Sequence, residues 1–241
     1  MKSFDEEIFD RIYYQEEFVP HKLNPSAIST NRYDDSWSLI QRVDTNSRVL
    51  EIGCGIGQYT VSLAQRFRSV VAIDYSEVAI TRAKELISKN FPDLVPKIEF
   101  RRANAADLSE FYGADFDLVC ALAIVEHVPD IFGVMDNISQ VTKSQGYLNL
   151  AVPNIRYIKH IYSIIRGKVP ATGSDSQKIL DWRDVGWDGG HVHYFTKSSV
   201  VDLVNIYGFT AESFLGDGKY AKFRRWSDFL VGNLHFIARK N

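Results

Sequence analysis

Gly53, Gly55 and Gly57 stand at alternate positions in ValLeuGluIleGlyCysGlyIleGlyGlnTyrThr (49–60), and Glu51 precedes them. Glycine lets the chain turn tightly and lets a ligand come up against the backbone, so such a run marks a loop built to hold something. Dinucleotide-binding loops space their glycines Gly-x-Gly-x-x-Gly. Single-residue gaps behind a leading acid form a different pattern. Downstream, Asp74 closes an apolar run, where a carboxylate can accept hydrogen bonds from both hydroxyls of a ribose. Taken singly, Glu51 and Asp74 are equally consistent with solvated acids at strand ends. With the glycine spacing they describe a site for a ribose-bearing ligand.

Proton chemistry points to a second group. Glu126 and His127 follow the apolar run 116–122, and His191 and His193 lie in HisValHisTyrPheThr (191–196). A neutral imidazole can take a proton from a hydroxyl or ammonium nucleophile, which makes His127, His191 and His193 candidate bases. Each can equally serve as a hydrogen-bonding fixture. Tyr13, Tyr14, His21, Trp182 and Trp187 are aromatic groups able to cover a bound ligand, although Tyr13 and Tyr14 also suit plain packing. LysTyrAlaLysPheArgArgTrp (219–226) interleaves bases with aromatics, as a solvated loop or a contact for an anionic ligand would.

The elements that must carry these groups alternate. Residues 47–52 and 69–74 read as buried strands around an amphipathic helix at 61–67. A helix from Ser76 to Lys89, capped by Ser76, leads to strand Lys97–Arg102. Strands at 116–122 and 146–152 flank a helix near 132–141. Helix Lys197–Tyr207 and two apolar strands near 208–215 and 229–239 complete the order. Alternation with near-continuous apolar strands predicts a doubly wound, mostly parallel α/β sheet, whose ligands sit beyond the carboxyl ends of the strands. One domain over 1–241 is expected: a helical cap (1–45) with Pro20 and Pro25 in its loop, a ligand-binding half (46–153), an insertion after the fifth strand (154–195) that shapes the substrate site, and the C-terminal helix and strands (196–241).

Composition narrows the class. The 241 residues are 45% hydrophobic and 24% charged, which excludes disordered and fibrous chains. With 28 basic against 30 acidic residues, the net charge of −2 supplies no global field for a nucleic-acid backbone. Cys54 and Cys120 sit in apolar runs without the spacing of a zinc site, and no apolar stretch is long enough to span a membrane. The acidic start lacks the order of a signal peptide, so a cytoplasmic protein is expected.

From about Arg48 onward, the acid-led glycine run, the acid after the second strand and the histidine–aromatic–Thr segment resemble the class I S-adenosylmethionine-dependent methyltransferases. The resemblance implies a seven-stranded Rossmann-like sheet and S-adenosylmethionine as methyl donor. It implies that Glu51, Gly53, Gly55 and Gly57 hold the methionine side, that Asp74 binds the ribose and that Tyr75 flanks the adenine. Asn104 and the backbone of Ala105 would meet the adenine edge, with Asn in the place of the usual Asp, and Leu122 would line the methionine side. The stretch 120–130 also resembles the Glu-x-x-Glu-His of metal-assisted O-methyltransferases of ubiquinone biosynthesis and of small-RNA 3′ ends. Ala123 stands where the first Glu should be. A divalent metal would then be left with Glu126, His127 and either His191 or His193, the set Glu126, His127 and His193 being the low-ranked option beside no metal. The expected reaction is methyl transfer to oxygen or nitrogen of a small acceptor, with a sugar or glycan precursor and an anionic acceptor as the leanings. The alternatives are a metal-assisted RNA methyltransferase and a non-catalytic binding subunit.

Overall fold

The computed structural model describes residues 7, 10–11, 32–173, 178–183, 186–220, 222 and 227–241. Seven strands form one sheet: β1 (Arg48–Ile52), β2 (Ser69–Asp74), β3 (Ile98–Arg102), β4 (Phe116–Leu122), β5 (Thr142–Pro153), β6 (Phe209–Asp217) and β7 (Asn233–Lys240). Their order is β3-β2-β1-β4-β5-β7-β6, and only β7 runs antiparallel to its neighbours. The helices are α1 (Arg32–Leu39), α2 (Gln58–Arg66), α3 (Glu77–Asn90), α4 (Ile131–Val141), α5 (Ile158–Ile165) and α6 (Lys197–Ile206). The fold is the predicted doubly wound α/β sheet.

Both faces of the central strands are covered, which is why β1, β2 and β4 read as continuous apolar runs. Leu50, Val119 and Leu148 pack on one face with Val134 and Ile138 of α4 and with Val200 and Val204 of α6. Val49, Val70 and Leu118 face the other way, onto Leu39 of α1, Leu63 of α2 and Ile80 of α3. Cys54 and Cys120 are free and buried, as small apolar side chains would be.

Capping residues set the helix starts. The Ser76 hydroxyl accepts from the Ala79 amide at 3.0 Å, the cap expected from sequence. Thr196 and Ser199 close a reciprocal capping box at the start of α6. Thr196→Ala should therefore lower the unfolding free energy by roughly 1 kcal/mol, read as a lower urea midpoint at unchanged slope. An unchanged midpoint would show that the last turn of the insertion, rather than its cap, fixes this helix.

Some boundaries move for local reasons. A helix-like stretch over Ile155–Ile165 is expected from the apolar pattern of the insertion, but α5 begins at Ile158, because the Asn154 side chain accepts from the Arg156 amide at 3.0 Å and Tyr157, at φ −55° and ψ 134°, is not helical. The last strand begins at Asn233 rather than 229, since Asp228–Leu230 form a single helical turn. In the predicted cap, Tyr13, Tyr14 and His21 lie outside the described residues, as do Ala221 and residues 223–226 of the basic–aromatic stretch.

A buried polar chain ties α1 to the far edge of the sheet. His235 on β7 meets the Ser36 hydroxyl of α1 through Nδ1 at 2.8 Å and Asp217 of β6 through Nε2 at 3.0 Å. Asn233 donates to the other Asp217 oxygen at 2.8 Å. Ser36, His235 and Asp217 are at most 2% exposed, so this serine–histidine–aspartate chain is a latch with no access for a substrate.

Candidate active site

The glycine loop leaves β1 and turns against β2. Gly53 and Cys54 both donate to the Ile73 carbonyl, at 2.8 and 3.0 Å. Gly53 has φ +75°, a backbone region that glycine adopts without strain, and a β-carbon there would push the end of the Ile124 side chain away from the turn after β4. Asp74 accepts from the Gly55 amide through Oδ2 and from the Ser76 amide through Oδ1, each at 2.9 Å. It is therefore a buried brace for the loop, and burial raises its pKa against the lowering effect of those amides. The Ser76 hydroxyl in turn donates to Asp10 at 2.5 Å, which brings the N-terminal segment over this strand end.

Glu51 is equally buried. Its Oε2 accepts from the Thr60 hydroxyl at 2.6 Å, and burial pushes its pKa up to about 8. Glu51, Gly53, Gly55, Leu122 and Ile124 line a cavity of about 120 Å³ between the ends of β1 and β4. Tyr33 of α1 lines it too and stacks on Tyr59, with ring centroids 5.4 Å apart. Tyr33 lies within the expected helical cap (1–45) but is not among the aromatic residues singled out from sequence.

The other expected cofactor residues surround the adjacent strand ends. Tyr75 is 39% exposed, with the Arg102 guanidinium 5.9 Å from its ring centre. Asn104 Oδ1 accepts from the Ala106 amide at 3.0 Å and closes a tight turn, while the buried Ala105 offers its carbonyl to Asn137.

The turn after β4 continues into the acid–histidine pair. The His127 amide donates to the Ile124 carbonyl at 2.9 Å, so the cavity wall and His127 belong to one turn, entered through Ala123 at φ +58°. The Glu126 carbonyl accepts from the amides of Val192 and His193, at 2.8 and 3.2 Å, which draws the end of the insertion onto this turn. His127 and His191 meet edge to face with ring centroids 4.7 Å apart. Glu126, His127 and His191 each offer a ligand atom, and these lie within 4.8 Å of one another. This cluster contains His191 in place of His193, whose Nε2 is turned to the Val128 carbonyl at 2.9 Å. Two imidazoles and a carboxylate suit a divalent cation with positions left for water or a substrate oxygen. Of the two tryptophans, Trp182 is buried and Trp187 is 56% exposed, packed edge to face at 5.1 Å.

A methyltransferase-domain profile matches residues 30–213, and the chain belongs to that family. It is a class I S-adenosylmethionine-dependent methyltransferase. Among curated proteins, a ubiquinone biosynthesis O-methyltransferase of Pseudomonas aeruginosa is 30% identical over 180 residues, 71% of this chain and 72% of that one. A protein of the same name from Dechloromonas aromatica is 29% identical over 62% of this chain and 60% of its own. A solved S-adenosylmethionine-dependent methyltransferase of Methanosarcina mazei superposes with a TM-score of 0.60 at 23% identity, covering 82% of this chain and 94% of the other. The magnesium protoporphyrin IX methyltransferase of Synechocystis, solved with S-adenosylhomocysteine, gives 0.63 at 15% identity over 99% and 96%. A [4+2]-cyclase gives 0.65 at 15% identity over 98% and 93%, so the shape of the fold does not by itself specify methyl transfer. Among the described residues no helix is long and apolar enough to cross a membrane.

Proposed function

We propose that this enzyme methylates a hydroxyl oxygen of a small molecule, with His127 and His191 at the acceptor side. The observation that carries the reading is the single turn that runs from the cavity wall at Leu122 and Ile124 to the His127–His191 pair. S-adenosylmethionine supplies an electrophilic methyl group when bound. On this reading Glu51 and the glycine backbone hold its methionine end, Asp74 its ribose, and Tyr75 with the Asn104–Ala105 turn its adenine. One histidine takes the hydroxyl proton as the oxygen attacks, and the fixed approach of the two reactants supplies much of the rate. Oxygen is favoured over nitrogen because the curated relatives are named O-methyltransferases. A phenolic hydroxyl, which ionises near pH ~10, lies closer to the reach of an imidazole base than an aliphatic sugar hydroxyl does. Should a divalent ion take part, Glu126, His127 and His191 would hold it, and its Lewis acidity would ease loss of the hydroxyl proton. A screen of phenols, catechols and sugars with labelled donor, with and without chelator, tests the acceptor class. Transfer to amines or sugars alone would overturn the phenol assignment.

Binding has its own signature. In the free protein burial keeps Glu51 protonated at neutral pH, because its pKa rises from 4.5 to about 8. The stability tied to that proton is present below the ordinary carboxylate value and is lost as pH climbs through about 8. An ammonium beside Glu51 favours its ionised form, so binding of S-adenosylhomocysteine at pH 7 should release a proton and tighten as pH rises toward 8. Calorimetry in buffers of different ionisation heat reads that release. Heat without proton release would remove Glu51 from the methionine end, and no heat on folded protein would remove the cofactor site.

A further inference from the structure

The three candidate histidines differ in which ring nitrogen is tied, and the ties of His127 and His191 depend on one turn of the insertion, Asp188–Gly190. Gly186, Asp188, Gly189 and Gly190 all have positive φ, with the non-glycine Asp188 at φ 46° and ψ 44°. Such a turn persists only where its surroundings hold it, and strained backbone gathers at functional sites. Its carboxylate is fully buried and surrounded by donors: the Thr172 and Gly173 amides bond Oδ1 at 2.9 and 3.0 Å, the Thr172 hydroxyl bonds Oδ2 at 2.6 Å, and Tyr194 approaches Oδ2 at 3.3 Å.

The Thr172 hydroxyl has a second neighbour, His191 Nδ1, at 2.7 Å. Asp188 itself is 4.0 Å from that nitrogen, so the hydroxyl bridges the two. A hydroxyl carries one proton, and here it points to the carboxylate, leaving an oxygen lone pair for His191. Nδ1 must then be the protonated nitrogen of the ring, and Nε2 the acceptor. The same turn ties the other ring: His127 Nδ1 lies 3.2 Å from the Gly190 carbonyl, which only accepts, so Nδ1 again carries the proton. His193 is set the opposite way, since its Nε2 faces the Val128 carbonyl.

We infer that Thr172, held by the Asp188–Gly190 turn, is a positioning residue that locks His191 with its proton on Nδ1 and its lone pair on Nε2. The turn carbonyl does the same for His127. Both rings thereby present the same nitrogen as base or ligand, and His193 is assigned to support of the Glu126–Val128 turn. The inference rests on the proposed role of the histidine pair only for its effect on turnover; the tautomers can be read without it. Gly173 makes room for the ring, because a β-carbon there would lie 2.6 Å from His191 Nε2.

The test is a long-range proton–nitrogen NMR spectrum of protein labelled with ¹⁵N in its histidine rings, recorded where the rings are neutral. Signals of His191 and His127 should show the Nδ1–H form and that of His193 the Nε2–H form, with single histidine variants used for assignment. Thr172→Val, which keeps shape and removes the hydroxyl, should shift His191 toward the Nε2–H form and lower turnover roughly 10- to 100-fold with S-adenosylhomocysteine affinity unchanged; Thr172→Ser should restore both. A wild-type His191 in the Nε2–H form, or an unaltered His191 signal in folded Thr172→Val, overturns the inference. The wild-type spectrum decides even if the valine variant fails to fold. If the tautomers respond as stated and turnover does not, the positioning stands for the ring but not for catalysis, and the proposed role of the histidine pair is what fails.

Discussion

His191→Ala should lower turnover roughly a hundredfold or more while leaving S-adenosylhomocysteine affinity nearly unchanged, with His127→Ala close behind. The separation of effects follows from position. The cavity is walled by Glu51, the glycine loop, Tyr33 and Leu122–Ile124, whereas His191 reaches the site from the insertion and touches His127. Loss of an imidazole there removes a group able to accept the acceptor's proton and leaves the glycine loop and its Asp74 brace in place. His193→Ala should behave differently. Its ring bonds the Val128 carbonyl, so its removal should loosen the turn and reduce stability more than it reduces turnover in the folded fraction. Full turnover in all three variants with the true acceptor would leave proximity and exclusion of water as the source of the rate.

Asp74→Ala should weaken S-adenosylhomocysteine binding by roughly 1–3 kcal/mol, the cost of deleting a charged acceptor from a hydrogen-bonded site. Two losses contribute. The carboxylate that would receive the ribose hydroxyls is gone, and so are the bonds that hold Gly55 and Ser76 at the strand end. Asp74→Asn separates them: its amide oxygen can still serve one backbone amide, but its NH₂ opposes the other, so an intermediate affinity is expected. A dissociation constant unchanged in folded Asp74→Ala would confine the residue to bracing the loop.

The central half of the molecule was legible because its signals are local. An apolar run followed by glycines one residue apart gave β1 and its loop, and Ser76 marked the start of α3, where it caps the helix. Glu51 and Asp74, ambiguous as isolated acids, are both buried, which removes the reading of each as a solvated strand-end acid. The histidine region was legible in composition but not in arrangement. That His191 joins Glu126 and His127 depends on Val192 and His193 donating to the Glu126 carbonyl, a contact between segments far apart in sequence. Asp188 was invisible for a related reason: in sequence it is one acid in a glycine-rich loop, and only the left-handed turn carries it inward to Thr172. Tyr33 escaped because α1 is short and polar in sequence, while its role comes from being laid over the sheet.

The latch between α1 and the sheet edge bears on the order in which the enzyme is made. A ribosome that has delivered β1 to β5 has already made the glycine loop, Glu51, Asp74 and Tyr33. The helix that carries Tyr33 has yet to find its anchor, because His235 lies in β7, which inserts between β5 and β6 after both have been synthesised. Domains tend to acquire structure from their early residues onward, and a late strand joining distant partners is a slow step. On this order the α1 wall of the cavity is anchored only once the last strand pairs, so the cavity between β1 and β4 is expected to close at the end of synthesis rather than along the way.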